Sequence, residues 1–113
     1  MDTRRKIIAA DAVPPGCTVV TGYFDPLLAA DVRELAALPN PVTAIILPLD
    51  HALLSQQARA ELVAALRIID YVVIASDASI VDRLRPAEVV HLEEGQSRRA
   101  RELKEHVRSR QIR

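Results

Sequence analysis

Aromatic residues make up only 3% of this 113-residue chain, and tryptophan is absent. A core must therefore be built from Leu, Ile, Val and Ala, and there is no aromatic platform on which nucleic-acid bases would stack. Cysteine is equally scarce. Cys17 stands alone, which argues against a disulfide framework and fits a reducing compartment. At the start of a β-branched run it reads as a small core residue. Long hydrophobic runs are missing too. Every apolar run falls far short of a membrane span and no signal-peptide pattern opens the chain, so the expectation is a cytoplasmic protein with no membrane partner.

What is present is ordinary globular composition, 50% hydrophobic and 27% charged, with zero formal net charge. That excludes disorder. One domain over residues 1–113 is expected, large enough to bury a core without a structural metal. The zero hides an asymmetry. Residues 97–113 carry seven basic and two acidic residues, a net +5, so the remaining chain carries −5. A basic C-terminal helix of this kind is ordinarily a solvated face resting near its own acidic domain, although it leaves nucleic-acid binding open.

Four runs, 17–22, 42–49, 70–76 and 87–93, are rich in Val and Ile and bounded by Pro, Gly, Asn or Asp. Continuous rather than alternating apolar character marks strands buried on both faces, as in a parallel sheet. Helical patterns lie between them. The first puts Leu28, Val32, Leu35 and Leu38 on one stripe. The second, capped by Ser55, puts Leu62, Ala65 and Leu66 on another. A short helix capped by Ser76 or Asp77 stops before Pro86, and a last one begins with Ser97 as cap and has Leu103 and Val107 as apolar contacts. Residues 6–16 read either as a short edge strand or as a one-turn helix. Alternating strands and helices predict a single doubly wound, Rossmann-like parallel sheet of the α/β class, with the first strand inside it and ligands at the carboxyl rim.

The rim stretch "GYFDPLLAAD" (22–31) carries the functional question: a strand, a glycine turn and a helix start form a phosphate-binding device. With this stretch the chain resembles the cytidylyltransferase-like nucleotidyltransferases, of the heptose-phosphate adenylyltransferase and glycerol-phosphate cytidylyltransferase type. Gly22, Phe24 and Asp25 match the family's Gly-x-Phe-Asp. Ser55, Arg59, Ala65, Leu66, Asp70, Tyr71, Val72 and Val73 fit its serine-capped arginine helix and the Val-Asp-Tyr-Val-Val that follows. "LRPAEVVH" (84–91) and the lead-in at 6–22 extend the likeness over roughly residues 6–92. The resemblance implies a nucleotidyltransferase-like sheet. If nucleotide binding is retained, it implies contacts from Gly22, Phe24, Asp25, Ser55 and Arg59, with Mg²⁺ and ATP or CTP as cofactors of any retained activity. It also implies pairing into a homodimer or with a protein partner.

The family's His-x-Gly-His falls on Leu28-Ala29-Ala30-Asp31, so both histidines are gone. Its late Ser-Thr-Thr falls near Ser97-Arg98-Arg99, where only the serine survives, and no Lys or Arg occupies the Pro48–Leu54 bridge. Nucleotidyl transfer builds negative charge on an α-phosphate and its bridging oxygen, and losing one fixed donor there costs about 2.7–4 kcal/mol. No catalytic residue is assigned. Leu27 and Leu28 bring apolar bulk to the turn. Asp25 and Asp31 place two carboxylates beside a helix start that has no Lys or Arg between residues 6 and 33.

Individual residues keep two readings. Gly22 is a backbone requirement of the tight turn. Asp25 before Pro26 either orients a metal-bound phosphate or marks a plain turn. Arg59 contacts phosphate or pairs with Glu61 or Asp70. Asp50 and His51 could complete an oxygen-and-imidazole metal site with Asp25 and Asp31. His91 is a hydrogen-bonded core or rim residue, and His106 is solvated. The expectation is a degenerate domain without transferase activity, acting as a binding or interaction module with weak nucleotide affinity at most. The alternative is an active nucleotidyltransferase with an altered, metal-dependent site.

Overall fold

The computed structural model describes residues 2–111; the side chains at 100, 104 and 106–111, and with them the expectations for His106 and Val107, lie outside the described residues. Strands β1 (Thr18–Gly22), β2 (Val42–Ile46), β3 (Tyr71–Ile74) and β4 (Glu88–His91) form one all-parallel sheet in the order β3-β2-β1-β4. Val20 at the centre of β1 pairs with Ala44 on one side and Val90 on the other. The chain steps outward through β1, β2 and β3, then crosses back to place β4 on the far side of β1. The strand order reverses between β1 and β4, so the crevice expected to take a ligand lies at their carboxyl ends.

Alternate residues of each strand point to opposite faces, and both faces are buried. Val20, Val42, Ala44, Ile46 and Val72 pack with Leu35, Ala60, Val63 and Ala64 beneath the helices α1 (Ala29–Ala36) and α2 (Gln56–Ala64). Val19, Ile45 and Val73 pack with Val13, Cys17, Leu47, Val81 and Leu84 under short 3₁₀ segments at Ala10–Ala12 and Ala78–Arg83. The aliphatic core anticipated from composition is present, with Phe24 as its single buried aromatic. Residues 6–16 combine both readings: Ile7 makes an isolated parallel bridge to Val72, and 3₁₀ turns lie on either side of it.

Two helices differ from expectation. Ser55 caps α2 as anticipated, its Oγ accepting from Ala58 N–H at 3.1 Å. However, the buried face of α2 is Arg59, Ala60, Val63 and Ala64, while Leu62 and Ala65 are exposed. Small alanines let the helix lie close on the sheet, and that orientation turns Leu62 outward. The last helix, α3 (Glu93–Gln111), starts four residues before the anticipated cap at Ser97. Gln96 N–H already donates to Leu92 O at 3.0 Å, and Glu93 and Glu94 favour the amino end of the helix. Among the described residues no helix is long and apolar enough to cross a membrane.

Candidate functional site

The turn after β1 aims two backbone N–H groups at one acceptor. Phe24 adopts a left-handed backbone (φ 49°) that non-glycine residues rarely take. As a result the N–H groups of Tyr23 and Phe24 converge on one point, as in the backbone nests that bind anions. That point is taken. Gln96 Oε1, reaching down from the first turn of α3, accepts from Tyr23 N–H at 2.6 Å and from Phe24 N–H at 3.2 Å. A carboxamide oxygen of the protein itself thus satisfies both N–H groups.

Gly22 makes room for this. A Cβ there would sit 2.7 Å from Gln96 Oε1 and 2.7 Å from the Phe24 ring. Its role is close approach, as expected of a turn glycine, but the group approached belongs to the protein. Leu27 and Leu28 were expected to supply the bulk over the turn. Both are half-buried, Leu27 packing on the core and Leu28 on a cavity wall, and it is Gln96 that sits on the N–H pair.

Asp31 is buried, with 1% of its surface exposed. One carboxylate oxygen accepts from Leu28 N–H at 2.9 Å, closing the start of α1. The other takes Arg99 Nη2 at 2.7 Å and Gln96 Nε2 at 3.3 Å. Arg99 also pairs with Glu34 at 2.9 Å. Burial pulls the Arg99 pKa down, but Asp31 and Glu34 more than offset it and leave the guanidinium raised. The cation that seemed missing near the turn arrives from 68 residues away. Repulsion by Asp31 is accordingly answered inside the fold.

Asp25 and Arg59 are spent on structure as well. The Asp25 carboxylate accepts from Leu53 and Leu54 N–H, both at 2.8 Å, and so ties the β2–α2 loop to the turn. Arg59, 2% exposed, donates through Nη1 to Tyr23 O at 3.0 Å and Leu47 O at 2.9 Å, bridging the exits of β1 and β2. It pairs with neither Glu61 nor Asp70. Among the described residues its Nε has no partner, and burial lowers its pKa despite the nearby charge of Asp25. Ser55 is the cap of α2, and Phe24 lies wholly in the core.

Beside the occupied turn a cavity of about 270 Å³ remains, bordered by Asp25, Asp31, Asp50 and His51 among others. These are the four residues considered as a metal site from the sequence. Among the described residues, however, no group of three or more His, Cys, Asp or Glu side chains is placed to hold a metal ion. The oxygens of Asp25 and Asp31 already accept from N–H groups, and the four do not fit a resident Mg²⁺ site. His91 lies on the rim, its Nδ1 2.7 Å from Thr21 Oγ1, which also bonds Glu93.

Gln96 and Arg99 are the residues that sequence reasoning missed. Their only signal was a polar pair one turn apart, just after β4, where the strand order reverses. No protein-family model matches the chain, and no curated protein matches it.

Proposed function

We propose that the chain is a nucleotidyltransferase-like domain that no longer transfers nucleotides. It serves in the cytoplasm as a binding or interaction module, joined to a second copy or to a protein partner. The observation that carries this reading is the Gln96 carboxamide on the Tyr23 and Phe24 N–H groups. An incoming phosphate would have to displace it and would then meet no histidine at Leu28 or Asp31. A carboxylate a few ångströms from a phosphate costs about 1–4 kcal/mol at surface-like dielectrics, and an open helix start returns only about 0.3–1 kcal/mol.

The test is direct. Incubation with ATP or CTP, Mg²⁺ and a panel of sugar or alditol phosphates should release no pyrophosphate above background. By calorimetry either nucleotide should bind more weakly than about 1 mM, and Gln96→Ala, which frees the two N–H groups, should tighten binding. Turnover, or micromolar affinity in the unmodified chain, overturns the reading in favour of an altered nucleotidyltransferase. The open cavity bordered by Asp25, Asp31, Asp50 and His51 is what favours that second reading.

A further inference from the structure

The cavity beside the turn is walled largely by apolar side chains: Tyr23, Pro26, Leu28, Leu49, Leu53 and Leu103 border it. The less exposed polar groups on its border already have partners inside the fold. Asp25 accepts from Leu53 and Leu54 N–H and feels the charge of Arg59. Asp31 accepts from Leu28 N–H, Gln96 and Arg99, and the Gln96 oxygen is taken by the turn. Asp50, His51 and Arg101 also border the cavity, but all three are exposed to water. A charged ligand would therefore find only solvated groups to pair with, and such pairs contribute little.

The leucines, by contrast, stand ready. Among the described residues four large hydrophobic side chains are exposed, and three of them, Leu49, Leu53 and Leu103, border this cavity at 36%, 65% and 47% exposure. Two stand on the β2–α2 loop, whose backbone Asp25 holds. The third stands on α3, which Gln96 and Arg99 fasten near its start. Exposed leucines brought from separate elements to one concave space mark a binding surface, and fixing them beforehand lowers the ordering cost of binding. The size of the space selects the occupant. A dry cavity of about 150 Å³ takes a benzene ring, and this one has about 270 Å³. That suits a fused-ring or medium-length aliphatic molecule and is too little to seat a helix about 10–12 Å across.

We infer that the cavity is a binding site for a small, uncharged, apolar molecule, covered by Leu49, Leu53 and Leu103. This rests on the binding-module reading and names the class of ligand. The two fail separately, because pyrophosphate release would sink the first, while the occupancy of the cavity by an apolar probe tests the second.

N-phenyl-1-naphthylamine, an uncharged fused-ring fluorophore, should brighten on mixing with the full chain and bind with a Kd of about 10 μM or below. The uncharged aliphatic 1-decanol should displace it, and ATP with Mg²⁺ should not. Both displacements use the unmodified chain and do not depend on any variant folding. Leu53→Asp and Leu103→Asp replace exposed side chains and should each weaken probe binding at least about tenfold, since each sets a charge against an apolar ligand. Leu62→Asp alters an equally exposed leucine that does not border the cavity and should change nothing. A probe that stays dim up to its solubility limit overturns the inference. So does binding indifferent to both cavity substitutions, binding weakened as much by Leu62→Asp, or displacement by ATP as readily as by 1-decanol.

Discussion

Arg59 and Arg99 come from different helices and cross the same end of the sheet, yet the protein treats them in opposite ways. Arg59 is sealed in, with 2% of its surface exposed, and has carbonyls rather than a carboxylate as its hydrogen-bond partners. Arg99 keeps 28% of its side chain exposed and holds two carboxylates. Burial dominates the first and lowers its pKa; the anions prevail at the second and raise it. Such a buried cation is a brace that cannot let go without exposing two strand exits. A half-exposed ion pair is a fastening that water can replace. The β2 side of the rim is thus fixed scaffold, and the α3 side is a closure laid over it.

The largest effect should come from breaking the brace. Arg59→Ala removes a buried side chain and strands the carbonyls of Tyr23 and Leu47, so unfolding in urea should show a loss of about 3 kcal/mol or more. Arg59→Met keeps the apolar stem and should recover part of that loss. If Arg59→Ala unfolds like the unmodified chain, Arg59 is no brace and the contrast between the two arginines collapses.

Gly22 tests how tightly the closure sits. Its Cβ would meet both Gln96 and the buried Phe24 ring, so Gly22→Ala should cost about 1–3 kcal/mol through overpacking. Gln96→Ala alone should cost about 1–2 kcal/mol, because it leaves two N–H groups to water. Combined, the two should cost less than their sum, since removing Gln96 relieves one of the two clashes. Strict additivity in a double-mutant cycle would show that Gln96 does not press on the turn.

The scaffold side was far more legible in the sequence than the closure. Val42–Ile46 declares itself as a strand because every residue is buried, which leaves a β-branched run whose one polar residue is Thr43. Asp25, Asp50 and His51 were placed on one rim because strand ends in a parallel sheet share an edge. The face of α2 was misjudged because periodicity weighs Leu62 above Ala60 and Ala64, while close packing on a sheet favours the small residues. Gln96 was illegible for a different reason. Its acceptor role exists only because residues 73 apart meet, and nothing local in "LEEGQSRR" distinguishes it from a solvated helix start. Arg99 disappeared into a basic block whose average behaviour is to face water.

The smallest expected effect concerns Arg99 itself, and it separates a latch from a brace. Arg99→Ala leaves the buried Asp31 carboxylate with Leu28 N–H at 2.9 Å and Gln96 Nε2 at 3.3 Å. An unpaired buried charge can cost several kcal/mol, but the departing guanidinium was partly solvated and water can enter where it lay. The loss should therefore be about 1 kcal/mol, well below that of Arg59→Ala. Its signature should be local. Amide exchange should quicken for Tyr23 and Phe24 and for the first turns of α3, with β2 and α2 unchanged. Added salt should reproduce part of the same loosening in the unmodified chain, because a half-exposed pair is screened and a sealed one is not. A loss equal to that of Arg59→Ala, or exchange that quickens across the whole sheet, would mean that α3 belongs to the scaffold and that the turn cannot open without unfolding the domain.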